Sequence, residues 1–357
     1  MKRLLTFALL STSCILFADE SRMRNIENRL TCLEDCGQNC CCLINPPARP
    51  YTPDCWGLYV NVDPLIWQAH VNGLGLVIQT NGSTDFFNTA GQSRVQNLNY
   101  DWDWGFRLGL GLNTTHDAWD ILLQWTSWCT DAKRDFTAGP NQANFPHFGH
   151  PRELNEISAN SVTSKWELRY NILDLEGARE FWVSKCVSLR PFGGLRSAWI
   201  DQKEFNIDLK DLSIPLYENY SIQQSDRFWG IGIRSGLDMQ WGIAGGFSLF
   251  NNFAGNLLYS YHSVKHKEKG DDENLFDVEN FYHLGSAIFD MQLGIRYDWI
   301  SCDCCYHVGL DLGWEHHWHP GQNQFLLFVD DVLASKYVAN QGDLGIQGYF
   351  LKVRFDF

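Results

Sequence analysis

The chain has 357 residues, enough for one large or two ordinary domains. Its formal net charge of −14 argues against nucleic acid as a partner. Mean hydropathy is −0.27, which taken alone reads as water-soluble, but transmembrane strands alternate and average to near neutral, so a membrane barrel stays open.

At the N-terminus, Lys2 and Arg3 precede a mostly apolar stretch, Leu4 to Phe17, and Ala18 is followed by Asp19 and Glu20. This predicts a secretory signal over residues 1–18, cut after Ala18. Its apolar core is too short to span a bilayer as a helix. Cys14, preceded by Ser-Thr-Ser, offers a lipid-modified alternative. No other run approaches the length of a spanning helix, so a membrane-embedded mature chain must cross as a barrel.

Residues 19–55 form a segment of different texture. Met23, Ile26, Leu30 and Leu33 repeat at three- and four-residue steps, which predicts a short helix that pairs with a partner or stands alone. Cys32, Cys36, Cys40, Cys41, Cys42 and Cys55 follow, with Pro46, Pro47, Pro50 and Pro53 between them. Cys32 and Cys36 share a helix face that would also suit a metal, but an exported chain meets an oxidising compartment, where disulfides are the default.

From Trp56 to the end, residues 56–357, the pattern becomes two-residue alternation. Leu58, Val60 and Val62 alternate with Tyr59, Asn61 and Asp63. Trp102 to Leu112 alternates with Asp103, Arg107 and glycines. Trp119, Ile121, Leu123 and Trp125 make the next run. Trp166, Leu168, Tyr170 and Ile172 alternate with Glu167, Arg169 and Asn171. A weaker strand spans Leu189 to Ile200. Trp229 to Trp241 alternates with Arg234 and Asp238, and Phe247 to His262 is mixed. Ala287 to Trp299 alternates with Asp290, Arg296 and Asp298. Tyr306 to Trp314 alternates with His307 and Asp311. Runs of about ten residues are what a tilted strand needs to cross a bilayer. Aromatics at their ends fit interfacial girdles, and Gly and charge opposite the apolar face fit a crowded polar lumen.

The last stretch, Gly348 to Phe357, places Tyr349, Leu351, Val353, Phe355 and Phe357 on one face and Lys352 and Arg354 on the other. No later chain covers the apolar face, so lipid or earlier chain must. The fold expected is an all-β, antiparallel transmembrane β-barrel. The strand number should be even, about 10–12. Ten strands are counted, and Leu76–Gln79 and Phe325–Val329 could add a hairpin.

Connections alternate in length. Short ones fall near Asn113–Asp117, Val183–Val187, Gly242–Gly246 and Ile300–Cys305. Long polar ones fall near Asn72–Tyr100, Thr130–Asn160, Gln202–Ser225, His266–Asn280 and Pro320–Gly342. Short periplasmic turns and long extracellular loops are the outer-membrane pattern. On that topology Cys186, Cys302, Cys304 and Cys305 join the N-terminal cysteines on the periplasmic side, and Cys129 lies near the outer rim. Loss of Cys14 with the signal leaves eleven of the 12 cysteines, ten of them periplasmic. Disulfides to the chain's own N-terminal segment or to other envelope proteins are the expectation.

Several stretches resemble the major outer membrane protein family of Legionella and the chlamydia-like bacteria. They are Gly57–Gln68, Trp104–Trp125, Asn171–Gln202, Glu315–Gln324 and Gly342–Phe357, spread over almost the whole mature chain. The resemblance implies an abundant, surface-exposed porin, without a catalytic motif or a cofactor. It also implies that the terminal strand (Tyr349, Leu351, Val353, Phe355 and Phe357) is the signal read by the outer-membrane assembly machinery. The cysteine-rich segment resembles, in kind only, envelopes that are stiffened by disulfide cross-links.

Candidate pore-lining residues are Arg107, Arg169, Arg234, Asp238, Asp290, Arg296, Asp298, Asp311, Lys352 and Arg354. Opposed charges in a lumen tune ion selectivity; the same charges could instead plug a narrow barrel as internal salt bridges. Glu315, His317 and His319 share a strand face, which a metal site or rim hydrolase could use, though no Ser-His-Asp spacing accompanies them. The reading carried forward is a non-enzymatic outer-membrane barrel for passive diffusion of ions and small solutes, with disulfides lending the envelope rigidity. The alternative is a structural or adhesive surface barrel without an open pore. Lipid, the assembly machinery, disulfide-linked envelope proteins or further copies of the chain are the partners expected.

Overall fold

The computed structural model describes residues 57–81, 93–114, 119–154, 157–184, 186–213, 217–271, 273–300, 307–333 and 335–356. The expected signal, the N-terminal helix, Phe357 and every cysteine except Cys129 and Cys186 lie outside these residues.

The strands run β1 (Gly57–Val71), β2 (Gly75–Gln79), β3 (Arg94–Asn97), β4 (Asp103–Asn113), β5 (Trp119–Thr137) and β6 (Asn144–Pro146). After the short helix α1 (Pro151–Leu154) come β7 (Ala159–Arg179), β8 (Phe181–Trp182), β9 (Val187–Leu212), β10 (Asn219–Ala244), β11 (Phe247–Gly270) and β12 (Glu273–Ile300). The chain ends with β13 (His307–Asn323), β14 (Leu326–Phe328), β15 (Tyr337–Ala339) and β16 (Gly342–Asp356).

Ten of these close into an antiparallel ring in the order β1-β4-β5-β7-β9-β10-β11-β12-β13-β16 and back to β1. The seam is the pairing of the first and last strands, with Val62 opposite Val353 and Tyr59 opposite Asp356. Closure leaves the apolar final strand no unpaired edge. The two doubtful segments do not join the ring. Gly75–Gln79 pairs with β3 and β6 at the loop end, and Leu326–Phe328 pairs only with β15.

The strands are longer than the alternation suggested. Two of the expected long loops, Gln202–Ser225 and His266–Asn280, are mostly strand, because β9, β10, β11 and β12 run on past the lipid belt. At about 3.3 Å per residue and a tilt of roughly 40°, the 26 residues of β9 rise about 65 Å, twice the ~30 Å hydrocarbon core.

That extra height inverts the meaning of the alternation. In the turnward half the outer wall is apolar: Leu110, Leu173, Leu175, Ile231, Ile233 and Leu312 are exposed there. Trp104, Trp125, Trp199, Trp229 and Trp318 edge this belt on the loop side, and Trp119, Trp182, Trp241, Phe247 and Trp299 edge it on the turn side, all exposed. In the loopward half the wall faces water, and the apolar residues turn inward. Trp166, Leu168, Tyr170 and Ile172, expected on the lipid face, are buried inside. Both faces of β7 change polarity at Ile172–Leu173, so no bulge is needed.

The inward residues of the loopward half form one apolar core. β1 gives Trp67, β5 Trp128, β7 Trp166, β9 Phe205, β10 Phe228, β11 Val264, β12 Ile288 and β16 Ile346. Phe148, Phe325, Leu326 and Phe328 pack into it from the connections. Its indole N–H groups have partners: Trp67 on Glu315 at 2.8 Å, Trp166 on Gln202 at 3.1 Å and Trp128 on the Asp103 carbonyl at 3.1 Å.

Candidate functional site: the charged lumen

Below the core, the lumen of the turnward half is polar and consists of linked ion pairs. Nearest the core, Arg107 on β4 donates to Glu315 on β13 at 2.9 Å and to Asp63 on β1 at 3.3 Å. Its Nε donates to Thr126 on β5 at 3.2 Å. Glu315 is fully buried and also accepts from Gln292 at 2.6 Å. A buried carboxylate held this way has its lone pairs occupied, which offsets the desolvation of the pair.

Beside it, Arg196 on β9 forks onto Asp174 on β7 at 2.6 and 2.7 Å and reaches Asp290 on β12 at 2.7 Å. Arg234 on β10 shares Asp290 at 2.5 Å and bonds Glu176 at 2.6 Å. His317 Nδ1 lies 2.7 Å from Asp290, so one carboxylate joins strands β9, β10, β12 and β13. The planar guanidinium suits such bidentate contacts.

Toward the turn end, Arg190 bonds Asp120 and, at 2.6 Å, Asp238. Arg296 forks onto Asp311 at 2.6 and 2.7 Å. His307 bridges Asp356 at 2.6 Å and Asp298 at 3.0 Å. Arg354 bonds Asp356 and lies 3.9 Å over the Tyr59 ring. Two adjoining cavities run through these networks, sharing Leu122, Arg190, Asp238, Asn252 and Lys352. Lys352 lines both and, among the described residues, has no ion-pair partner.

Nine of the ten residues named from sequence therefore line the cavities: Arg107, Arg234, Asp238, Asp290, Arg296, Asp298, Asp311, Lys352 and Arg354. Arg169 does not. It is exposed on the outer wall of β7, opposite in phase to the buried Tyr170. The reason is the polarity inversion, since at that height apolar side chains fill the interior and charged ones meet water. Glu315, His317 and His319, placed at a rim from sequence, are instead buried inside the barrel, with the His319 ring 3.4 Å from the Tyr170 hydroxyl. Sequence reasoning overlooks Asp63, Asp120, Asp174 and Glu176. The run Ile172-Leu-Asp-Leu-Glu176, where the apolar phase shifts by one, is the available signal for the last two. Of the cysteines, Cys129 is exposed on the outer wall and Cys186 lies in the turn between β8 and β9.

Among solved structures, the chain is similar in shape to the outer membrane protease OmpT of Escherichia coli (TM-score 0.42, 9% identity, 87% of this chain and 98% of that one). It is also similar to a Pseudomonas aeruginosa FadL homologue (0.28, 10%, 87% and 96%) and to a major outer membrane protein of Thermus thermophilus (0.27, 11%, 85% and 99%). Likenesses this distant transfer neither ligand nor activity. No curated protein matches the sequence. A family model described as "Legionella pneumophila major outer membrane protein precursor" matches residues 50–357. With that match over most of its length and a closed, lipid-belted ring, the chain belongs to the Legionella major outer membrane protein family and is an outer-membrane β-barrel.

Proposed function

We propose that this barrel serves first as a structural and surface element of the outer membrane, with its lumen closed toward the loop end. The observation that carries this is the single apolar core fed by eight of the ten ring strands across the loopward lumen. A packed core excludes hydrated ions, since stripping their water costs far more than any side chain there returns. In planar bilayers the refolded protein then shows a closed baseline. A sustained open conductance at low voltage overturns the reading.

Passive diffusion of ions and small solutes is the second reading, favoured by the two polar cavities. They are lined by ten carboxylates against seven Lys and Arg side chains. Once the core is opened, for example by Trp67→Ala with Trp166→Ala, the path is cation-selective. Neutralising Arg234 and Arg296 strengthens that selectivity; an unchanged reversal potential shows that they do not line the path.

Envelope rigidity through cysteines rests on their number and crowding in the sequence. A non-reducing gel of isolated envelopes tests it. Slow-migrating, reductant-sensitive species are expected, and a monomer that ignores reductant rejects intermolecular links.

A further inference from the structure

The outer wall just loopward of the aromatic edge carries a cationic cluster that the lumen does not use. Trp199 on β9 pairs laterally with Asn171 on β7 and with Trp229 on β10. Two residues further along the same faces, Asp201 pairs with Arg169 on one side and Arg227 on the other. Both arginines are exposed, and among the described residues neither holds a carboxylate in an ion pair.

A β-bulge adds a third cation. In register with β10, Gln202 opposes Asp226 and Phe205 opposes Gln224; in register with β7, Gln202 opposes Leu168 and Glu204 opposes Glu167. Strand β9 thus carries one extra residue relative to both neighbours. The bulge shifts the phase, so Phe205, Ile207 and Leu209 turn inward and Lys203 and Glu204 stay on the wall. Glu204 and Glu167, one row higher, share Lys165 in ion pairs. Lys203 is left beside Asp201, whose carboxylate feels Lys203, Arg227 and Arg169 together. Three cations surround one carboxylate.

This island stands out on a chain of net charge −14. On the flanking strands the same row carries no charge, with Cys129 (β5) opposite Arg169 and Ser263 (β11) opposite Arg227. Trp199 and Trp229 mark the depth of the membrane interface. Cations one row beyond them meet the phosphate layer, and two guanidiniums offer the forked geometry that phosphate oxygens accept.

We propose that Arg169, Lys203 and Arg227 form a binding site for the phosphate of an outer-leaflet glycolipid. The site rests on the outer-membrane reading with the loop end outward. Protease access to the β14–β15 hairpin on intact cells reads that orientation separately.

Native mass spectrometry of the refolded mature barrel in detergent tests the site. The probes are a doubly phosphorylated, acylated glucosamine disaccharide and its enzymatically dephosphorylated form, offered in equal amounts. The wild type retains the phosphorylated lipid with roughly tenfold preference, since each cation near a lipid phosphate contributes appreciably. Arg169→Gln with Lys203→Gln and Arg227→Gln abolishes the preference, while Arg169→Lys with Arg227→Lys keeps part of it. Lys265→Gln, higher on the wall, leaves it intact. Heat-modifiable migration confirms folding, and Arg227→Gln alone, at an exposed position, gives a smaller loss if the triple variant does not fold. Equal retention of the two lipids by the wild type overturns the proposal, as does an unchanged preference in the folded Gln variants. Displacement of the lipid by millimolar inorganic phosphate, which marks a small-anion site, overturns it too.

Discussion

Trp67 Nε1 donates a 2.8 Å hydrogen bond to Glu315 Oε1, between residues 248 positions apart in sequence. The bond ties an indole of the apolar core to a carboxylate of the charged lumen. Glu315 is also the main partner of Arg107, whose guanidinium is almost as deeply buried.

Replacing Glu315 by Gln therefore leaves Arg107 with Asp63, at 3.3 Å, as its one carboxylate partner among the described residues. Breaking a buried pair from one side costs about 3–5 kcal/mol. Trp67→Phe removes one hydrogen bond to a charged acceptor, about 1.5–3 kcal/mol, together with part of the packing on Trp128, Tyr170 and His317, but it leaves no buried charge without its partner. Urea unfolding of the barrel from liposomes should rank Glu315→Gln as the more damaging variant. The reverse order would show that the core, and not the ion network, holds this level together.

Ile233 and Arg234 are neighbours that face opposite solvents. Ile233 is 60% exposed on the wall, while Arg234 is tied into Glu176 and Asp290. Ile233→Arg should cost about 2–4 kcal/mol in a bilayer, the range for a cation near the midplane of a barrel's lipid face. The same urea titration checks it, and an unchanged unfolding midpoint would place Ile233 outside the lipid.

Gly111 gives the Tyr59 ring its seat. A Cβ built at Gly111 would collide with the ring carbons of Tyr59, across the β1–β4 pairing in which these two residues are direct partners. The ring in turn carries Arg354 on its face. Gly111→Val should force Tyr59 out and destabilise the turn-end network by about 1–3 kcal/mol. Gly111→Val in a Tyr59→Ala background should then cost little more, which a double-mutant cycle measures.

The ring is legible because alternation reports which residues share a face. Leu351, Val353 and Phe355 against Lys352 and Arg354 need no other information. What alternation does not report is which face is outside, because that depends on whether the surroundings are lipid or water. Hence Arg169, expected in the lumen, lies on the wall, while Asp174 and Glu176, seven residues or fewer further along the same strand, lie inside. The bulge at Lys203–Glu204 is equally hidden, since an extra residue in a strand leaves no mark in composition. Glu315 and His317 stand out as a cluster in the sequence, but their burial depends on Trp67 and Arg107, which are far away along the chain.

Asp226 gives a pH test outside the lipid belt, loopward of Trp229. It is fully buried in the core, with both oxygens near His262 Nδ1, at 3.1 and 3.2 Å. Burial pushes its carboxyl above the ordinary range, and the His262 contact opposes that only in part. A carboxyl raised on folding contributes stability below its unfolded value, about 3.9, and that contribution is lost as pH rises through the folded value. The wild-type barrel should therefore lose part of its stability on going from acid toward neutral pH through this group. Asp226→Asn keeps an acceptor for His262 and removes the charge, so it should be as stable as wild type in acid and more stable near neutrality. Denaturation midpoints of both proteins across this range give the comparison. A variant that is less stable than wild type near neutrality, with the gap closing in acid, would mean that the ionised Asp226–His262 pair supports the core.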